Sequence, residues 1–458
     1  MMRLSEAAIA TQGQLIGQDI LFTSVGTDSR SVAAQQLFVA LQGEKFDGHD
    51  YAKQAFEHGA AGVLIQRGMS SLPAAVMVKD TRLALGDLAA YWRSKFDMPI
   101  AAITGSSGKT TVKEMLASIL RAATENMEDV LATQGNLNND IGLPLTMLKL
   151  RRHHQYAVLE MGMNHSGEIS YLTKLARPSV ALLNNAGSAH IGELGSVEAI
   201  AKAKGEIFQG LAADGTAIFN ADDDFAPLWK AMTATRKQMT FGLATTADVS
   251  ADYQLQANAS SLVLKTPMGK LAINLPVAGL HNVRNALAAT SVALAMGVSL
   301  DAVAQGLQQF TGVNGRLQLM HGLNGARVID DTYNANPASM KAAIDVLAAQ
   351  SGETIFVMGD MGELGEDGAE MHAEIGRYAK SAGIQHFYGF GELSTNATNT
   401  FGQGAHHFDE IETLAAAIVR NLNTQTTVLV KGSRFMRMER VVQLVATKPT
   451  TQNKEEQH

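Results

Sequence analysis

Ile100-Ala101-Ala102-Ile103-Thr104-Gly105-Ser106-Ser107-Gly108-Lys109-Thr110-Thr111 decides how this chain is read. An apolar strand runs into a glycine loop, and a helical pattern follows from about residue 110 to 122. Backbone N–H groups of such a loop, with the N-terminus of the helix behind it, form a cradle for phosphate oxygens. Gly105, Ser106, Ser107, Gly108, Lys109, Thr110 and Thr111 are therefore candidate nucleotide contacts. In this arrangement Lys109 reaches the β- and γ-phosphates and the Thr110 hydroxyl ligates Mg²⁺. The spacing departs from the usual G-x-x-x-x-G-K-[ST], because position 103 is Ile. A shortened G-x-x-G-K-T remains.

Outward from the loop, Glu160 ends the apolar strand Tyr156-Ala157-Val158-Leu159. A carboxylate at the C-terminal end of a strand beside a phosphate loop is placed to hold a metal. His190 follows the strand 180–183 in a loop, where a histidine is as readily structural as functional. Lys202 and Lys204 fall in an amphipathic helical stretch, 199–208, and by spacing alone are solvated lysines. His281-Asn282-Val283-Arg284-Asn285-Ala286 opens another helix, where Asn282 either caps the helix or reads a base. Arg316, Asp330 and Asp331 flank the entry to the last third of the chain.

The 458 residues suggest about three domains. With 46% hydrophobic and 18% charged residues, the composition is that of a soluble globular protein. A net charge of −7 argues against a nucleic-acid coat or a membrane-surface binder. The absence of cysteine excludes disulfides, thiolate metal sites and a cysteine nucleophile. No apolar run reaches the roughly 18 residues a membrane span needs, and the N-terminus lacks the features of a secretory signal.

Expected strands at 19–22, 37–40, 61–65 and 75–78, with a helix at 51–58, make residues 1–80 a small mixed α/β unit. Residues 81–312 alternate strand and helix around the glycine loop and carry an antiparallel β insert at 253–275, turning at Pro267-Met268-Gly269. Residues 313–447 restart the alternation as a Rossmann-like unit, and 448–458 form a polar tail. The fold class is α/β in three domains, with a parallel sheet at the centre.

Together these residues resemble the Mur ligase family, the ATP-dependent amide ligases of peptidoglycan precursor synthesis. The likeness runs from Thr27 to Met438. It is carried by the loop 104–110, Glu160, His190, Ala203-Lys204, the 281–286 stretch, Gly315-Arg316 and Asp331. More specific blocks are Gly135-Asn136-Leu137-Asn138-Asn139-Asp140-Ile141-Gly142, Glu160-Met161-Gly162-Met163-Asn164-His165, Asp330-Asp331-Thr332-Tyr333-Asn334-Ala335-Asn336-Pro337, Gly359-Asp360-Met361-Gly362-Glu363-Leu364-Gly365 and Lys431-Gly432-Ser433-Arg434. These blocks match the branch that joins D-alanyl-D-alanine to UDP-N-acetylmuramoyl-tripeptide through an acyl phosphate.

The resemblance implies ATP as co-substrate and Mg²⁺ as cofactor. Lys109, His190, Lys204 and Arg316 become catalytic candidates. Thr110, Glu160 and His190 become metal ligands, joined by Lys204 if it carries a carbamate. Arg316 addresses the γ-phosphate, Asn282 adenine and Asp331 the ribose. Ser29, Asp47 and His49 belong to a UDP-sugar site, although Asp28-Ser29 alone reads equally as a capped turn. Asn138 and Asn139 contact the muramoyl-peptide, and Asn336 and Arg434 orient the dipeptide. A cytoplasmic monomer with no nucleic-acid partner is implied. The alternatives are the family member that adds the third amino acid, whose Asp-Asn-Pro-Arg block is missing here, a folylpolyglutamate synthetase, and a non-catalytic nucleotide switch. Because the candidate residues lie on different units, catalysis is expected to require their closure.

Overall fold

In the structure, a computed structural model that describes residues 1–69, 72–187 and 191–447, the stretch that opens at Ile100 lies at the middle of a six-stranded sheet. The order is Lys237–Phe241, Thr216–Asn220, Val180–Leu183, Ile100–Thr104, Tyr156–Glu160 and Val130–Ala132, all parallel. Both faces are covered, which is why Ile100–Thr104 and Val180–Leu183 are continuous buried runs rather than alternating ones. Ala101 and Ile103 face the helices Lys109–Ala122 and Leu280–Ala295, packing with Val112, Leu116, Val283 and Leu287. Ile100 and Ala102 face the other way, toward Leu85, Leu88 and Trp92 of the helix Thr81–Arg93. Against the outer side of Lys109–Ala122 lies Leu300–Gln308. Gly306 permits that approach, since a Cβ there would stand 2.3 Å from the Ile119 Cα.

The first unit is a five-stranded sheet ordered Gln14–Gly17, Ala74–Met77, Gly62–Ile65, Gln36–Val39 and Ser24–Gly26, antiparallel only at its first pair. One of its faces joins the core of the central unit without a break, through Leu37, Leu64, Val76 and the helix Thr81–Arg93. The β insert is three-stranded and antiparallel, Ser250–Leu255, Ser260–Thr266 and Gly269–Leu275. The last unit is a six-stranded sheet ordered Gln318–His321, Arg327–Asp331, Thr426–Lys431, Glu353–Gly359, His386–Phe390 and Ala405–Phe408. Only its first pair is antiparallel.

Several expectations need correction. The strand expected at 19–22 shortens to Leu21–Phe22 and pairs with Met2–Arg3, outside the main sheet. Six further strands not anticipated, Gln14–Gly17, Ser24–Gly26, Val130–Ala132, Lys237–Phe241, Gln318–His321 and Ala405–Phe408, are all sheet edges. Edges are short or mixed in polarity, so they carry little of the apolar signal of buried strands. The helix expected over 199–208 ends at Gly205 and tightens into a 3₁₀ turn, Glu206–Gly210. The helix expected to open at Asn282 opens at Leu280, after Gly279. Asn282 is therefore not its cap.

Candidate active site

Parallel pairing in register brings three strand ends to one edge. Glu160 lies opposite Ile103 and Leu183 opposite Thr104. The loops that follow these strands meet in the crevice beyond their carboxyl ends, where open α/β sheets bind ligands. There a cavity of about 780 Å³ separates the central and last units. Its walls carry Ser107–Thr111, Asn138, Glu160, Asn184, Asn185, Asn282, Arg316, Asp331 and Lys431.

Gly108 has φ +78°, and a Cβ there would stand 2.5 Å from Asn285 Oδ1. Only glycine turns the chain into the helix Lys109–Ala122 at this point. That helix has no side-chain cap, so its first N–H groups are open to an anion. The loop itself is held by Asn185. The Ser106 N–H donates to its carbonyl at 3.0 Å and the Ser107 N–H to its Oδ1 at 2.9 Å. These two amides, expected to serve the nucleotide, are thus already engaged, and the cradle narrows to the amides from Gly108 onward. Asn184 Nδ2 donates to the Ser107 carbonyl at 3.0 Å and to Asn285 Oδ1 at 3.3 Å.

Lys109 Nζ donates to the Gly105 carbonyl at 2.7 Å. Burial pulls its pKa below the ordinary lysine value, with Glu160 and Glu363 opposing and Arg316 adding to the fall. The Thr110 hydroxyl donates to Glu160 Oε2 at 2.9 Å, and Asn138 Nδ2 donates to Oε1 at 2.9 Å. The buried Glu160 is steadied from behind as well, where its own N–H donates to Thr133 Oγ1 at 3.0 Å.

The last unit closes on this loop. Arg316 Nη2 donates to Thr110 Oγ1 at 2.9 Å. Asp331 and Lys431 end adjacent strands in register and form a buried ion pair at 2.6 Å. Burial pushes the Asp331 carboxyl up, and the Lys431 and Arg316 charges pull against it. Asn282 lines the cavity with Nδ2 donating to the Ala278 carbonyl at 2.8 Å. Beside it, burial holds His281 down at about 4, helped by Lys431 and Arg284, so its ring is neutral near pH 7.

Lys204 is buried on the helix Val197–Gly205, does not line the cavity, and makes no hydrogen bond or ion pair to another described residue. It is not the solvated lysine that spacing alone suggests. Burial first, and then the charge of Lys109, drives its pKa well below the ordinary value. His190 lies outside the described residues. Asn139 lines the cavity while its Oδ1 accepts the Gly142 N–H at 2.9 Å. Asn336 also lines it, but caps the helix Pro337–Ala348 through Ser339.

One expected contact falls elsewhere. Arg434 turns outward to Glu439 at 3.1 Å, and Lys431 takes the place on the cavity wall. Ser29, Asp47 and His49, expected in a UDP-sugar site on the first unit, lie away from this cavity, where that reading puts them. His49 is buried with both ring nitrogens occupied. Nδ1 meets Asp47 Oδ1 at 2.6 Å and Nε2 accepts the Gln66 N–H at 3.0 Å. It knits the turn Gly48–Tyr51 instead of presenting a free group. Asn184, Asn185 and Asn285 were missed. They sit in the loop after the strand 180–183 and in the 281–286 stretch, but their role in holding the Gly105–Gly108 loop depends on strand register.

The chain matches three family models in the same order as its units. They describe the Mur ligase family catalytic domain over residues 21–93, the Mur ligase middle domain over 103–293, and the Mur ligase glutamate ligase domain over 315–434. This chain belongs to the Mur ligase family. Among Mur ligases it is similar to the UDP-N-acetylmuramoyl-tripeptide–D-alanyl-D-alanine ligase of Escherichia coli K12, 42% identical over 96% of this chain and 97% of that one. The enzyme of the same name from Bacillus subtilis is 37% identical over 93% of each. A MurF crystal structure from Acinetobacter baumannii superposes with TM-score 0.90 at 39% identity, covering 96% of this chain and 98% of that one. The MurF ligase of Thermotoga maritima in complex with ADP gives TM-score 0.84 at 29% identity, covering 93% and 98%. Among the described residues no helix is long and apolar enough to cross a membrane.

Proposed function

We propose that this Mur ligase joins D-alanyl-D-alanine to UDP-N-acetylmuramoyl-tripeptide at the expense of ATP, as a cytoplasmic monomer in peptidoglycan precursor synthesis. The observation that carries this reading is the convergence of Lys109, Thr110 and Glu160 with Arg316 and Lys431 across one cavity, in a chain similar end to end to ligases of that name. Residues 1–80 hold the UDP-sugar, 81–312 the phosphates and the reacting carboxylate, and 313–447 the rest of the nucleotide and the dipeptide.

The chemistry is an in-line transfer between two anions, governed by positioning and charge neutralisation. Lys109 and the first amides of its helix hold the triphosphate, and Arg316 approaches the γ-phosphate from the last unit. The γ-phosphoryl passes to a terminal carboxylate oxygen of the tripeptide, and ADP departs. The amine of D-alanyl-D-alanine attacks the acyl carbon, loses a proton, and the C–O bond to phosphate breaks. Asn282 and Asp331 face the nucleoside. Asn138 and Asn139 face the peptide. Lys431, already bound to Asp331, and Asn336 bound the region left for the dipeptide.

The donor set suits magnesium. Thr110 and Glu160 offer hard oxygens side by side, while no group of three His, Cys, Asp or Glu side chains is found among the described residues. Such a site holds a hard cation jointly with nucleotide phosphates rather than in a protein cage. The ion supplies charge screening between triphosphate and carboxylate. A carbamate on the buried Lys204 would add two oxygens to that donor set, and His190 is the further ligand that the family resemblance implies.

ADP release is the direct assay. Sustained, multiple-turnover release is expected only when the UDP-tripeptide and D-alanyl-D-alanine are both present, with single amino acids at least about a hundredfold poorer in kcat/KM, because a site that binds a second residue leaves its polar groups unpaired without it. ADP release with an amino acid and a shorter peptide precursor overturns the assignment in favour of an earlier ligase. Release without any acceptor points to a nucleotide switch.

A further inference from the structure

We infer that Tyr333 is a positioning residue, whose ring fixes the plane in which Arg316 meets the transferred phosphoryl group. The inference rests on the ligase reading above. The Arg316 Cζ lies 4.2 Å from the centroid of the Tyr333 ring, within the range of a cation–π contact. The backbone fastens the two together. Tyr333 N–H donates to the Gly315 carbonyl at 3.1 Å, and Leu317 N–H donates to Asp331 Oδ1 at 3.2 Å. Both neighbours of Arg316 are therefore tied to the segment 331–333, which ends a sheet strand and does not move independently of it.

With Cζ 4.2 Å from the ring centroid, the ring covers one side of the cation, and hydrogen bonding is left to the N–H groups away from it. One edge group, Nη2, donates to Thr110. Another, Nε, is buried and has no partner among the described residues. A buried N–H without an acceptor is costly, so the guanidinium is held where it is by its other contacts. The edge of the guanidinium that reaches Thr110 of the phosphate loop is the one that meets an oxygen of the reacting group. The planar fork of arginine suits two oxygens of one such group only when its plane is set beforehand. The ring sets it. The Tyr333 hydroxyl has no hydrogen bond to another described residue, so the ring and not the hydroxyl carries the role.

Single-turnover ADP formation, with UDP-tripeptide and D-alanyl-D-alanine, tests this in Y333L, Y333F, R316A and the Y333L/R316A double variant. Removing the ring should lower the rate about 30-fold, the factor a desolvated cation–π contact supplies, with the KM for UDP-tripeptide within about twofold of wild type. Y333F should restore the rate to within about threefold. In the R316A background Y333L should cost nothing further, since residues acting through one another are not additive. An equal loss from Y333L with and without Arg316 overturns the inference, as does a loss in Y333F matching that in Y333L. Y333F carries the test even where Y333L fails to fold. If the wild type shows no sustained ADP release dependent on both substrates, the ligase reading itself fails, which separates the two outcomes.

Discussion

Replacing Lys109 with alanine is expected to lower ADP release by about a thousandfold, while calorimetric affinity for UDP-tripeptide stays within about threefold of wild type. The factor corresponds to about 4 kcal/mol of transition-state stabilisation, the upper range for a single group placed on developing charge in a water-poor site. The structure explains both halves of the prediction. Lys109 Nζ is held against the Gly105 carbonyl at 2.7 Å inside the cleft, so its charge is already oriented and partly stripped of water. Burial lowers its pKa, and an arriving triphosphate offsets that shift by stabilising the ammonium form. The side chain contributes to a cleft wall rather than to the core, so its truncation leaves the fold in place. Loss of UDP-tripeptide binding together with ADP release would show that the side chain supports the fold or that the phosphate site is elsewhere.

Lys204→Ala is expected to cost about a hundredfold or more in kcat, the range seen when an oriented electrostatic group is removed. A short carboxylate such as acetate should restore part of the loss. The reason is the state of the amine. It is buried, without a hydrogen-bonding partner among the described residues, and driven toward the neutral form by burial and by Lys109. A neutral amine adds CO₂, forming an N–C bond and releasing one proton, and the anion so made is stabilised by nearby cations. An ammonium in the same place repels them. In wild-type protein supplied with ¹³C-bicarbonate, a carbamate carbon resonance that disappears in Lys204→Ala is the matching observation. If no such resonance forms and acetate restores nothing, Lys204 acts otherwise.

Much of this site was legible in residue order, and the parts that were not share a cause. The strand, loop and helix over 100–122 announce themselves because a buried parallel strand is a continuous apolar run and the helix after it is amphipathic. Glu160 is legible for the same reason, standing where such a run stops. The Asp331–Lys431 pair is not, because it joins residues a hundred positions apart through the register of two parallel strands. Nor is the turning of Arg434 toward Glu439, which the one-residue geometry of a 3₁₀ turn decides. His49 is a candidate only through the family resemblance, and residue order does not show that both of its nitrogens are engaged by Asp47 and Gln66. Lys204 looked solvated because helical spacing does not say which neighbouring elements cover a face. Sequence patterns locate elements and the chemistry at their ends. Register and covering contacts then decide which side chains are free to meet a ligand.

The central claim is that the phosphate loop and Arg316 act together to place a γ-phosphoryl group on a peptide carboxylate. Isotope transfer tests it most directly. With ¹⁸O in the terminal carboxylate of the UDP-tripeptide, the phosphate released on ligation to D-alanyl-D-alanine should carry one labelled oxygen, because the carbon–oxygen bond of the acyl phosphate is the one that breaks. Phosphate free of label would contradict the account.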